Sequence, residues 1–245
     1  MSVKSKNLLP CVSVIIAAAG SGTRLGGLSK ALLKIDGKYT FLYSLDMFIE
    51  SEYVKRVVIS AKKEDINAIR EIVARQNYMK EVLVVEGGST RQESVTLAFR
   101  AAFNKKSKTQ FVAVHDAARP LITRDGFEKA MRIATKYGCA VCAAKAKDTF
   151  KRSDENFLIR ENVDRENLWH IQTPQIFDTD MFHTAIAKSA KENTCATDES
   201  TLVTDAGFLV KLSDTGHDNI KITYPEDVLI AEAILKKRKL TEEYK

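Results

Sequence analysis

The sequence predicts an α/β fold: a doubly wound, mostly parallel sheet of Rossmann-like plan, with a β-arm protruding from it. Three observations carry this. Five short runs, Val12–Ala17, Arg56–Ser60, Val82–Val85, Phe111–Val114 and Cys139–Ala144, are continuous, apolar and β-branched, as strands buried on both faces must be. Helical stripes fall between them, so the order is βαβα. Between Asp148 and Thr173 that rhythm breaks into polar, strand-like sequence. The 245 residues suit one domain, 1–245, with the arm at about 148–173.

Taken in order, the first strand raises a rival reading. Lys4 and Lys6 precede an apolar run from Leu8 to Ile16, and Ala17-Ala18-Ala19-Gly20 follows, the outline of a cleavable signal peptide. Cleavage there would remove the first strand, so strand and Gly-rich loop is the preferred reading. No apolar run reaches the roughly 18 residues of a membrane span. One helical stripe carries Ile66, Ile69, Ile72 and Val73. The clearest carries Val95, Ala98, Phe99, Ala102 and Phe103, spaced to line one helix face. Thr149-Phe150-Lys151-Arg152 and Phe157-Leu158-Ile159 form the arm. Helical pattern returns at about Thr179–Ala190 and from Glu226.

Cys139 and Cys142 form a CxxC, but positions i and i+3 of a strand point to opposite faces and no second CxxC follows. Both are read as core residues, and the four cysteines as those of a cytoplasmic, reduced protein. The net charge of +6 suits a nucleotide or phosphate ester and is too dispersed for nucleic acid. The run Lys236-Lys237-Arg238-Lys239 closes the last helix, where its charge favours the helix dipole.

Ligands of such a sheet sit beyond the carboxyl ends of its strands, and three loops there carry candidate chemistry. Ala17-Ala18-Ala19-Gly20-Ser21-Gly22-Thr23-Arg24 follows the first strand. Its small residues let backbone N–H groups approach a phosphate chain, with Arg24 and Lys30 to neutralise it. A dinucleotide GxGxxG fails at Leu25, and a P-loop fails at Leu28. Gly87-Gly88-Ser89-Thr90-Arg91-Gln92-Glu93-Ser94 follows the third strand and opens a helix whose N-terminus suits a ribose or base edge. His115-Asp116-Ala117-Ala118-Arg119-Pro120 ends the fourth. Asp116 there can hold Mg²⁺, which takes one or two carboxylates plus substrate phosphates, and Arg119 can meet a phosphate. His170 has no partner identifiable from sequence and is read as structural.

Together the segments AAAGSGTR, GGSTRQES, HDAARP, DTFKR, VDRENLWHIQTPQ, ATDES and DNIKIT, in this order, resemble the 2-C-methyl-D-erythritol 4-phosphate cytidylyltransferases of non-mevalonate isoprenoid biosynthesis. The resemblance runs from about Val12 to about Ala233. It implies transfer of CMP from CTP to a sugar-alcohol phosphate, with Mg²⁺, and assigns roles. Arg24 and Lys30 stabilise the charged transition state, with Arg165 and Lys221 as further catalytic cations. Ala18, Ala19, Gly20, Gly22, Gly87, Gly88 and Ser94 hold CTP. Asp116, Ala117 and Arg119 line the centre. Thr149, Arg165, Thr173, Thr197 and Lys221 hold the methylerythritol phosphate. Thr149 and Arg165 are expected to reach a neighbouring subunit through the arm, which implies a homodimer. The chain departs from the family pattern at Ser29 and Ala31, where Pro and Gln are usual, and at Ser89, where Asp is common.

Three other functions compete. A ribitol 5-phosphate cytidylyltransferase would share the CTP site, but Val163-Asp164-Arg165 and Leu168-Trp169-His170 look more like the methylerythritol enzyme. A dinucleotide oxidoreductase lacks its third Gly, and has Ser60-Ala61-Lys62 where a ribose-binding acid is expected. A non-catalytic nucleotide-binding module predicts CTP binding without pyrophosphate release. Little sequence follows Lys239, which is read as leaving no room for a fused second enzyme.

Overall fold

The computed structural model describes residues 9–20, 29–103 and 108–243. In chain order the first strands are β1 (Val12–Ala17), β2 (Lys34–Ile35), β3 (Lys38–Tyr39), β4 (Val54–Ala61), β5 (Glu81–Glu86) and β6 (Phe111–Asp116). Then follow β7 (Cys139–Lys145), β8 (Phe150–Ser153), β9 (Ile159–Val163), β10 (Trp169–Asp178) and β11 (Leu212–Asp214). The helices are α1 (Thr40–Glu50), α2 (Ile66–Ala74), α3 (Arg91–Ala102), α4 (Arg124–Tyr137), α5 (Thr179–Glu192), α6 (Glu199–Asp205) and α7 (Glu226–Glu243).

Seven strands form one sheet in the order β11-β7-β10-β6-β1-β4-β5. All neighbours are parallel except β10, which runs antiparallel to both β6 and β7. The chain leaves β1 outward through β4 and β5 and returns as β6 on the other side of β1. The order therefore reverses between β1 and β6, and a crevice opens past their carboxyl ends.

Alternation along β1 shows why the sheet is covered twice. Val12, Val14 and Ile16 pack with Phe41, Phe48, Ile69, Phe127 and Met131 of α1, α2 and α4. Ile15 packs the opposite way, with Val95, Phe99, Phe182 and Leu202 of α3, α5 and α6. Cys142 lies in the first core and Cys139 in the second. Phe48 meets Phe127 edge-on at 5.1 Å and the His115 ring at 5.2 Å. The helix layer thus braces the end of β6, and truncating Phe48 to Ala costs about 3–5 kcal/mol. α7 packs Ala231 onto Ile35, Leu121 and Ile222 in a third, smaller cluster.

β8 and β9 pair with each other as a separate antiparallel ribbon, and Phe157 and Ile159 beside it are 89% and 65% exposed. The strand-like segment is shorter than the sequence reading. Trp169, His170 and Ile171 already pair with Lys145, Ala144 and Ala143 as the start of β10. The sequence reading named no residues for α1, α4, α6, β2, β3 or β11. Among the described residues no helix is long and apolar enough to cross a membrane.

Candidate active site

The crevice past β1 and β6 holds a cavity of about 410 Å³. Ala17, Ala18, Ala19 and Gly20 leave β1 as one wall; Gly88 and Ser94 stand across from them, and Asp116 and Ala117 end β6 beneath. Four cations line it, Lys30, Lys62, Arg91 and Lys221, against one carboxylate, Asp116. That imbalance, among the described residues, suits a polyanion.

Local chemistry fixes the loop before α3. Thr90 caps the helix, its hydroxyl accepting from the Glu93 N–H at 3.0 Å, while the Glu93 carboxylate accepts from the Ser89 N–H at 2.7 Å. This is a shifted form of the reciprocal Thr-x-x-Glu cap. Ser94 Oγ accepts from the Gly88 N–H at 3.0 Å and donates to the Thr90 carbonyl at 2.8 Å. Gly87 lies behind this turn, and a Cβ there would stand 2.6 Å from Ala19 Cβ. Only glycine lets the two walls approach so closely.

Asp116 is the hub. Arg91 donates to Oδ1 through Nε at 3.3 Å and Nη2 at 3.1 Å, and Lys221 Nζ donates to Oδ2 at 2.8 Å. Burial pushes this carboxyl up, but Arg91 and Lys221 more than offset it and hold it well below the usual range. Arg91 Nη1 also donates to Glu199 Oε1 at 2.6 Å. Burial raises the Glu199 carboxyl despite that partner. Burial works against the Arg91 charge, yet Glu199 and Asp116 together keep the guanidinium firmly protonated.

Beneath the hub, the Thr173 hydroxyl accepts from the Asp116 N–H and meets His115 Nδ1, each at 3.0 Å. A carbonyl can only accept, so His115 Nε2 donates to the Arg119 carbonyl at 3.0 Å, and in the neutral ring Nδ1 then accepts the Thr173 hydroxyl proton. Burial pushes the imidazole down to about 4, so it is neutral. Arg119 Nη1 and Nη2 donate to the Asn219 and Ile171 carbonyls at 2.8 and 3.2 Å. It ties β10 to the segment carrying Lys221. Lys30 Nζ donates to the Ile222 carbonyl at 3.0 Å, one residue further along that segment.

Of the residues singled out from sequence, Ala18, Ala19, Gly20, Lys30, Gly88, Ser94, Asp116, Ala117 and Lys221 come together around the crevice. Gly87 packs behind it. Arg119 and Thr173 are buried or nearly so and hold its floor rather than line it. Thr149, Arg165 and Thr197 are exposed and are not among the lining residues; Arg165 Nη1 donates to the Lys147 carbonyl. Gly22 and Arg24 lie outside the described residues. His170 is exposed, its ring 5.8 Å from Phe150. Sequence reasoning passed over Arg91, Glu199 and Lys62. Arg91 had a signal: a cation at the first position of a helix opposes the helix dipole and asks for a carboxylate partner. Lys62 had another, a cation just past the carboxyl end of a buried strand.

The family model IspD, 2-C-methyl-D-erythritol 4-phosphate cytidylyltransferase, matches residues 12–237. A protein of that name from Caldanaerobacter subterraneus subsp. tengcongensis is 38% identical over 228 residues, 92% of this chain and 99% of the relative. One from Halalkalibacterium halodurans is 36% identical over 224 residues, 91% of this chain and 96% of the relative. The crystal structure of 4-diphosphocytidyl-2C-methyl-D-erythritol synthase from Anaerococcus prevotii superposes with a TM-score of 0.80 at 28% identity, covering 93% of this chain and 99% of that one.

Proposed function

This chain belongs to the 2-C-methyl-D-erythritol 4-phosphate cytidylyltransferase family, and from that premise we propose how its crevice divides the work. The enzyme transfers CMP from CTP to 2-C-methyl-D-erythritol 4-phosphate, giving 4-diphosphocytidyl-2-C-methyl-D-erythritol and pyrophosphate. The attacking group is the substrate's own phosphate oxygen, already ionised at neutral pH. It forms a bond to the α-phosphorus of CTP as the bond to pyrophosphate breaks. No side-chain nucleophile is needed. The obstacle is repulsion between two polyanions, and the observation that carries the reading is the excess of Lys30, Lys62, Arg91 and Lys221 over Asp116 in one crevice.

In this reading Ala18, Ala19 and Gly20 offer backbone to the triphosphate, and Lys30 and Arg24 bear on the α-phosphate. Gly87, Gly88 and Ser94 shape the nucleoside end, where a small pyrimidine fits the tight turn. Lys221 meets the phosphate of the second substrate, with Asp116 and Ala117 around its polyol and Arg119 and Thr173 holding the floor beneath them. Placing such charges before the reaction is worth about 10²–10³ in rate per group.

A divalent cation, Mg²⁺, fits as a companion of the triphosphate. Asp116 is the acidic side chain at the crevice, and no group of three His, Cys, Asp or Glu able to hold a metal exists among the described residues. Phosphate oxygens and water would therefore supply most of its ligands, with Asp116, whose oxygens also serve Arg91 and Lys221, as the protein carboxylate at the crevice. Bound there, it neutralises phosphate charge.

Thr149 and Arg165 are assigned to the crevice of a second subunit. The β8–β9 ribbon leaves Phe157, Leu158 and Ile159 exposed, and a two-stranded ribbon is marginal alone. Packing ribbon on ribbon in a homodimer covers those side chains and carries Arg165 across. The compartment of this reading is the cytoplasm. Pyrophosphate release with CTP, comparing methylerythritol phosphate with ribitol 5-phosphate, tests the substrate: faster turnover of the ribitol ester would replace this reading with the ribitol one.

A further inference from the structure

One ion pair at the crevice has so far counted only through the charge of its arginine, and its carboxylate has no task in the chemistry above. Arg91 opens α3 and Glu199 opens α6, and the two meet at 2.6 Å with Glu199 only 2% exposed. Glu199 is held from behind. Gln175 of β10 donates through Nε2 to Asp198 Oδ2 and accepts the Ser200 N–H, at 2.8 and 2.7 Å, and Asp198 caps α6. The other Glu199 oxygen, Oε2, is buried with no hydrogen-bond partner among the described residues, so Arg91 is the side chain that this carboxylate serves. Arg91 also donates through Nε and Nη2 to Asp116 Oδ1, while Oδ2 accepts from Lys221 at 2.8 Å and lies 3.8 Å from Arg119 Nε.

We propose that Glu199 and Arg91 are positioning residues for the second substrate: Glu199 orients the guanidinium, and the guanidinium fixes the Asp116 carboxylate against which Lys221 stands. The inference rests on the reading of Lys221 as the contact to the second substrate's phosphate. A lysine ammonium ends a flexible four-carbon stem, and the Lys221 side chain is 40% exposed. A fixed partner removes freedom that binding must otherwise take away. The guanidinium suits this because its planar fork reaches Glu199 and Asp116 at once; a lysine at position 91 keeps the charge but loses the fork. A buried carboxylate–guanidinium pair is weak evidence of added stability, because desolvation offsets much of the attraction.

The test uses Glu199→Gln, Arg91→Lys and Arg91→Met, with Lys221→Ala in parallel. For each, KM and kcat are measured for both substrates, with CTP affinity by calorimetry and the thermal midpoint. Glu199→Gln keeps an acceptor for Arg91; its KM for methylerythritol phosphate should rise about tenfold while CTP affinity stays within about twofold. Arg91→Lys should lower kcat/KM for that substrate about 10–100-fold. Glu199→Gln should add little on an Arg91→Met background, because Glu199 acts through Arg91. Should Arg91→Met fail to fold, Arg91→Lys replaces it in the pairing. If Lys221→Ala impairs the second substrate but Glu199→Gln and Arg91→Lys do not, the positioning role alone is wrong. If Lys221→Ala spares the second substrate, the parent reading falls and takes this one with it. Equal losses in thermal midpoint and in both substrates' KM would mark the pair as merely structural.

Discussion

Adding one methyl group to Gly87 tests how the two walls of the crevice are joined. In Gly87→Ala the new Cβ would sit 2.6 Å from Ala19 Cβ, 2.8 Å from Ser94 Oγ and 3.0 Å from Ser60 Oγ. Carbon atoms rest at about 3.5–4.0 Å, so the Ala19 wall must retreat by about 1 Å. It has little freedom to do so. The neighbouring Ala18 N–H donates to the Ser60 carbonyl at 2.7 Å, and β1 is paired on both sides up to Ala17. Ser94 is tied to Gly88 and Thr90. Overpacking of this kind costs about 1–3 kcal/mol, which for a chain of this length lowers the thermal midpoint by roughly 2–12 °C. Because Ala19 and Ser94 both line the crevice, CTP turnover should fall as well, by up to about a hundredfold for a 1 Å displacement. Scanning calorimetry reads the first effect and initial rates of pyrophosphate release the second. Gly88→Ala is the comparison: its three nearest obstacles are all atoms of the Glu93 side chain, which can rotate away. A Gly87→Ala protein with the parent's midpoint and CTP kinetics, or a Gly88→Ala protein that is worse, would refute the close-approach argument.

Three further outcomes are expected. Lys221→Ala should reduce kcat/KM for the sugar-alcohol phosphate by about 10²–10³ with CTP affinity intact by titration calorimetry; a collapse of CTP affinity contradicts its assignment. Mixing Arg165→Ala chains with Lys30→Ala chains, each nearly inactive alone, should restore part of the activity, since one crevice of a heterodimer then carries neither change; heterodimers that form and stay inactive rule out the shared site. Burial pushes the Cys142 thiol up to about 12, so the fold keeps this proton while an unfolded chain loses it from about pH 8.5 upward. The stability it contributes is complete below that pH and drains as pH rises toward 12, by up to about 1.4 kcal/mol per unit. Urea midpoints from pH 9 to 10.5 should therefore fall less steeply in Cys142→Ala, and parallel slopes would contradict the shift.

The parts of the fold that sequence revealed are those whose neighbours matter least to their identity. β1, β6 and β7 are apolar on both faces, so any burial makes them strands. β10 is the opposite case. Gln172 and Thr173 read from sequence as the end of the polar arm, and the proline that follows argues against an interior strand. Yet Gln172, Thr173 and Gln175 are each 5% exposed or less. Their side chains complete other segments: Thr173 serves Asp116 and His115, Gln172 serves Gly216 and Asn219, and Gln175 serves Asp198 and Ser200. Only those distant partners make burial affordable, and no local pattern announces them. The site divides similarly. Its backbone loops and the strand-end Asp116 follow from glycines and from strand positions, whereas Arg91 gains its role from Glu199, 108 residues away.

That separation has a consequence for how the protein comes into being. Arg91 and Asp116 leave the ribosome before β7, but Glu199 and Lys221 follow β10 in the chain, the strand that lies between β6 and β7. A nascent chain stopped after β7 holds most of the strands and a bare Arg91–Asp116 pair, with neither the second carboxylate nor the second cation. Catalytic competence is thus a late event in the life of each molecule, and turnover during synthesis can begin only once the segment carrying Lys221 has emerged.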